Sequence, residues 1–227
     1  KSVISIRLKT RRANSRVRVE VAETPFFSQS VSEFVLDKSG STYTIYPDII
    51  WKYEALRNNN QAGPVSVAIK VEINGANWGQ QVRTFSVRSL NECLLGYMSG
   101  GRVFCETGIF FAAYVNEENP KIDKLLREAL NTRIVNRFSG YQSAQNPVDR
   151  QVYALWNILQ KRQFRYSSVA NSSLSSNVVL SQRVRTFDDA LESSQINCVD
   201  GSVLFASLLR AINIEPILVR MPGHMFV

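Results

Sequence analysis

The chain has 227 residues, 44% of them hydrophobic and 20% charged, enough to bury the core of one large domain or two small ones. No apolar run approaches the ~18–20 residues of a membrane-spanning helix, which excludes a transmembrane segment within this stretch. The 27 basic and 19 acidic side chains leave a formal charge of +8, so an anionic surface stays among the readings for a partner.

Residues 3–9 and 16–22 place Ile4, Ile6, Leu8, Val17, Val19 and Val21 in alternation with Arg7, Lys9, Arg16 and Arg18. Both segments therefore read as half-buried strands. With Arg11 and Arg12 between them, they form the most basic part of the chain. Such a stripe fits either a phosphate-tracking or envelope-binding surface, or the solvated face of two strands. The second reading is preferred, because no aromatic residue interleaves the basic run as a stacking platform, and nucleic acid is accordingly not expected as a partner.

Further strands are predicted over 31–36, turning at Lys38-Ser39-Gly40, and over 42–46. Residues 65–73 alternate strictly and end at Asn74-Gly75, a strong hairpin signal because both residue types tolerate positive φ. Val82, Phe85 and Val87 mark the return strand. Short strands at regular spacing predict an immunoglobulin-like β-sandwich, assigned to residues 1–117. Within it, residues 93–115 are broken by Gly96, Gly100, Gly101 and Gly108 yet apolar over 109–115. That segment reads as the last strand or as the passage between domains.

Helical signals begin at Asn119-Pro120, a cap followed by Pro at the first helical position, with Ile122, Leu125, Leu126, Ala129 and Leu130 on one face. Asn146-Pro147 repeats the signal ahead of Val152, Leu155, Trp156 and Leu159. Residues 167–181 are rich in Ser and Asn and read as a loop. Thr186 with Asp189 resembles a capping box for a short helix over 187–192. A third helix is predicted from Cys198 to about Ala211, then strands at 217–219 and from His224 onward. Residues 118–227 are thus expected to form an α+β domain.

The three cysteines, Cys93, Cys105 and Cys198, are too few for a disulfide scaffold and too scattered for a zinc site. Cys93 and Cys105 read as ordinary buried thiols; a bond between them would mark an oxidising compartment. With one histidine and no cysteine pair at ligand spacing, neither a metal nor any other cofactor is implied.

Cys198 and His224 are the candidate catalytic residues. A thiol at a helix N-terminus meets the positive end of the dipole and backbone N–H groups that can face a developing oxyanion. His224, the only histidine in the chain, follows Pro222-Gly223 on a strand-like tail and supplies the base that a thiol nucleophile needs. Asp200 lies on the Cys198 helix, two positions on, and is read as a favourable carboxylate in its first turn. Gln195 and Asn197 are considered as second oxyanion donors and equally as turn and cap residues.

Taken together, Asn197-Cys198-Val199-Asp200-Gly201-Ser202, the helix that runs on to Ile214-Glu215-Pro216, and Pro222-Gly223-His224 resemble the transglutaminase-like superfamily. Ala154-Leu155-Trp156-Asn157-Ile158-Leu159-Gln160, Phe164-Arg165-Tyr166-Ser167-Ser168 and Ser181-Gln182-Arg183-Val184-Arg185 fit the same pattern. The resemblance covers roughly residues 119–227 and leaves out the β half. It implies a papain-like α+β fold, with Cys198 as nucleophile and His224 as general base. An orienting Asp or Asn is expected on a strand after His224, past Val227, so the domain reads as truncated.

The leading reading is a thiol hydrolase or acyl transferase that acts on a peptide or amide bond of a protein or peptide substrate, with hydrolysis preferred. The alternative is a non-catalytic transglutaminase-like binding or assembly module, acting at an anionic surface. An extracytoplasmic location is favoured over the cytoplasm.

Overall fold

A computed structural model describes residues 3–167 and 176–227. The chain is mixed α+β, 27% helix and 35% strand, and divides into two compact units, Lys1–Leu90 and Asn91–Val227. Among the described residues no helix is long and apolar enough to cross a membrane.

The first unit holds β1 (Ile6–Lys9), β2 (Ser15–Val21), β3 (Phe27–Ser28), β4 (Ser30–Leu36), β5 (Thr42–Ile45), β6 (Ile50–Trp51), the short helix α1 (Tyr53–Arg57), β7 (Gly63–Ile73) and β8 (Ala76–Val87). Four strands form an antiparallel sheet in the order β4-β2-β7-β8, while β1 pairs with β5 and β3 with β6. The alternation of β2 dictates its place at the centre. Val17, Val19 and Val21 are fully buried, and Arg16 and Arg18 point the other way. Val19 lies opposite Ser32 on one side and Val71 on the other. Leu36, Ile45, Val67 and Phe27 complete this core, each such side chain contributing on the order of 2 kcal/mol. The β7–β8 hairpin turns at Asn74-Gly75, with φ of 51° and 80°, as a two-residue loop with positive φ at both positions requires.

The second unit begins earlier than the boundary expected at residue 118. β9 (Glu92–Ser99) and β10 (Val103–Glu106) pair with each other, and β9 pairs on its other edge with β12 (Val179–Arg183), giving the order β10-β9-β12. This antiparallel pairing sets Cys93 opposite Gln182 and buries Cys93 in the core of the second unit. Residues 91–117 therefore belong there and not to the β half. The apolar run after β10 is a 3₁₀ helix, Gly108–Tyr114, in place of a strand. Phe111 is buried while Ile109 and Phe110 are exposed.

The helices α2 (Pro120–Asn131), α3 (Val148–Lys161) and α5 (Cys198–Ala211) enclose the core. Asn119 caps α2 by accepting from the N–H of Lys121 at 2.9 Å. α3 starts one residue later than Asn146-Pro147 suggests, with Pro147 itself at the cap. α4 (Phe187–Ser193) is capped by Thr186, whose hydroxyl accepts from the Asp189 N–H at 3.1 Å. Ile122, Leu125, Leu155, Leu204 and Leu208 are buried together. Two-residue strands β11 (Arg165–Tyr166) and β13 (Gln195–Ile196) pair in parallel, and β14 (Val219–Met221) forms a hairpin with β15 (His224–Phe226). Of the loop expected over 167–181, residues 168–175 lie outside the described residues, and its end is already strand in β12.

Candidate active site

Cys198 occupies the first turn of α5, directly after the N-cap Asn197. The cap is reciprocal. The Asn197 side-chain oxygen accepts from the Asp200 N–H at 2.9 Å, and the Asp200 carboxylate accepts from the Asn197 N–H at 3.0 Å, a capping box that fixes where the helix begins. Val199, Val203, Leu204, Leu208 and Leu209 are buried. The hydroxyls of Ser202 and Ser207 turn inward to donate to the carbonyls of Cys198 and Val203, at 2.7 and 2.8 Å. A helix enclosed on so many sides holds its first residue rigidly.

Asp200 does more than favour the helix dipole. Its carboxylate also accepts from the Arg185 backbone N–H at 2.8 Å and from Arg185 Nη1 at 2.6 Å. The two side chains are only 14% and 1% exposed. Arg185 Nη2 donates to the Ser167 hydroxyl at 2.9 Å. This buried pair ties the end of β12 and the residue after β11 to the start of the Cys198 helix. All the polar contacts of Asp200 are thus structural, and none goes to His224.

His224 comes from the β14–β15 hairpin, where Met221 faces His224 across the two-residue turn Pro222-Gly223. Proline sets φ at the first turn position, and Gly223, at φ +76°, takes the second, where a side chain is strained. Met225 is 3% exposed and packs into the core. Its neighbours His224 and Phe226 are exposed on the opposite face, their rings 6.3 Å apart at 28°.

Two clefts bring these elements together. The larger, about 660 Å³, and the smaller, about 330 Å³, are both lined by Cys198 and His224, and both also include Tyr166, Asn197 and Met225. The thiol and the imidazole therefore sit where the two clefts meet. No charged side chain lines the larger cleft, whose walls include Trp156, Phe164 and Phe205. Trp156 and Phe205 meet edge to face with ring centres 6.0 Å apart. The smaller cleft carries Gln182 and Arg220, and Arg220 is paired with Glu106 at 2.5 Å.

Sequence reasoning used Tyr166 and Gln182 only as parts of a pattern; the fold sets both in the lining of the smaller cleft with Cys198. Parallel pairing sets Tyr166 opposite Ile196, two residues before Cys198, and the phenol lines both clefts with the thiol. The electrostatic influence of the neighbouring Cys198, with desolvation, raises the phenol above its ordinary pKa. Of the two residues considered as oxyanion donors, Gln195 is exposed and lines neither cleft. Asn197 is the cap, and its Nδ2 is buried with no hydrogen-bond partner. Gln182, on β12, lines the smaller cleft.

All three cysteines are free thiols, with Cys93 buried and Cys105 partly so. Among the described residues no group of three or more His, Cys, Asp or Glu is placed to hold a metal ion. No family model, curated protein or solved structure matches the chain.

Proposed function

We propose that the second unit is a transglutaminase-like thiol hydrolase or acyl transferase that cleaves a peptide or amide bond, and that the first unit is an accessory β-sandwich. One observation carries this reading: Cys198, fixed at the start of an enclosed helix, lines the same two clefts as the chain's single histidine. Cys198 Sγ attacks the substrate carbonyl as His224 takes its proton. The tetrahedral oxyanion is met by the Cys198 backbone N–H and the Gln182 side-chain amide. The C–N bond then breaks, and the His224 imidazolium protonates the departing amine, leaving a thioester on Cys198. Water attacks the thioester with His224 as base, releasing the acid and restoring the thiol; an amine in place of water gives transfer. The uncharged walls of the larger cleft suit an apolar group flanking the scissile bond.

Alkylation by iodoacetamide across pH tests the reading. A dyad predicts that Cys198 reacts well below the ~8.5 of an unperturbed thiol and that His224→Ala returns the profile to that value. A profile near 8.5 in the unaltered protein refutes the dyad and favours a non-catalytic binding module.

A further inference from the structure

The basic stretch near the N-terminus acquires an aromatic partner that its own sequence does not contain. Of the 27 basic and 19 acidic side chains, thirteen and seven precede Asn91, so the first unit carries +6 of the net +8. Four of its seven carboxylates are engaged with groups other than Lys9, Arg11 and Arg12: Glu20 and Glu72 with Arg18, Glu72 with Lys70, Glu23 with Lys52, and Asp37 with the Tyr43 hydroxyl. Lys9, Arg11 and Arg12 have no ion-pair partner among the described residues.

Three turns meet at this end of the sheet. The Thr10 hydroxyl donates to the Lys38 carbonyl at 2.7 Å, the Ser39 hydroxyl to the Arg11 carbonyl at 2.9 Å, and the Arg16 N–H to the Asn74 side chain at 2.9 Å. The β7–β8 turn is thereby fastened beside the basic segment. Between them lies a cleft of about 330 Å³ lined by Lys9, Arg11, Arg12, Asn74 and Trp78, with no acidic side chain. Trp78 is 59% exposed.

We propose that this cleft binds single-stranded nucleic acid, with Lys9, Arg11 and Arg12 each on one backbone phosphate and a base resting on the Trp78 indole. Unpaired cations tracking a backbone beside an aromatic platform are what sequence-tolerant single-strand binding uses. The concavity decides against a bilayer: a flat anionic membrane meets flat or protruding surfaces, whereas these cations line the walls of a small cleft. A duplex, whose bases are stacked inside, has none to offer the indole.

The test is fluorescence anisotropy of the full chain with a labelled single-stranded oligonucleotide, long enough to span an ~4–16-nucleotide site, titrated across salt. Three phosphate contacts predict a slope of log K on log salt of about −2, and losing one cation by Arg11→Ala or Arg12→Ala flattens it by about 0.7. Trp78→Ala weakens binding by roughly 5- to 150-fold, the cost of one base stack, with the slope unchanged. These side chains are exposed, and circular dichroism checks that each variant is folded. The site is refuted if the oligonucleotide does not bind at ~50 mM salt, or if duplex competes as well as single strand. A full salt slope with no loss in Trp78→Ala refutes it equally, leaving ordinary surface charge. Sedimentation with phosphatidylglycerol vesicles that is as tight as oligonucleotide binding and insensitive to Trp78 overturns it in favour of a bilayer.

Discussion

Asp200→Asn is the sharpest probe of how the thiol is held. The substitution keeps size and shape but turns one carboxylate oxygen into an N–H donor. In the native site Oδ1 accepts from the Arg185 N–H, while Oδ2 accepts from Arg185 Nη1 and from the Asn197 N–H. An asparagine can satisfy one side only, so at least one of these donors faces another donor, and the Arg185 guanidinium loses its counter-charge. A surface pair lost in this way costs ~0–1 kcal/mol, but side chains 14% and 1% exposed place this one in the buried class, where breaking one partner costs ~3–5 kcal/mol. Taking about 3 kcal/mol, the melting transition of the second unit falls by roughly 6–12 °C. Urea unfolding of Asp200→Asn, Arg185→Met and the double variant completes a cycle. The double variant should lose less than Asp200→Asn alone, because it no longer buries an unpaired cation. A loss below ~1 kcal/mol in Asp200→Asn, or strictly additive losses, would refute a buried clamp.

Three further outcomes follow from the same structure. Burial pushes the Cys93 thiol up to about 11, so the folded state keeps the proton that the unfolded chain releases earlier. Stability from this group is full below about pH 9 and falls as pH rises towards 11, and Cys93→Ala should flatten that decline in melting temperature. Gln151, fully buried, accepts from the N–H groups of Ser139 and Gly140 and donates to the carbonyls of Gly140 and Asn146. Gln151→Leu strands four backbone groups and should cost on the order of 4 kcal/mol in urea unfolding; a loss under ~1 kcal/mol would mean that the strand of contacts is dispensable. Gly140, at φ +55°, would place a Cβ 3.0 Å from the carbonyls of Ile212 and Asn213, so Gly140→Ala should destabilise by ~1–3 kcal/mol, read by calorimetry.

What was legible in the sequence was local. The β7–β8 hairpin is written in an alternation of period two and an Asn-Gly turn, and α2, α4 and α5 in caps within three residues of their starts. The unit boundary was not, because β9 finds its partner β12 more than eighty residues away, a pairing that no window of the sequence contains. Glycine misled there as well. Gly96 reads as a breaker but lies inside β9, where a Cβ would meet the Phe104 ring at 2.3 Å and the Cys105 carbonyl at 2.7 Å; it allows β10 to approach closely. The apolar run 109–115 carries no period that separates a buried strand from a 3₁₀ helix with a single buried phenylalanine. At the site, Cys198 and His224 announce themselves by helix and turn context. Tyr166 and Gln182 come to line a cleft with the thiol only through strand pairings, and Trp78 joins the basic segment only through a hairpin that starts more than fifty residues later.

On the proposed mechanism the Pro222-Gly223 turn sets the phase of the hairpin that carries the base. Along β15 the side chains are alternately exposed and buried, so the same backbone offers two settings. In the native one Met225 is buried and His224 is exposed; shifted by a single residue, the thioether would turn outward and the imidazole would enter the apolar core. The proposed role of this hairpin therefore depends on the length of a two-residue loop as much as on the histidine. Adding one residue there should silence the clefts while every side chain named in the mechanism is still in the chain.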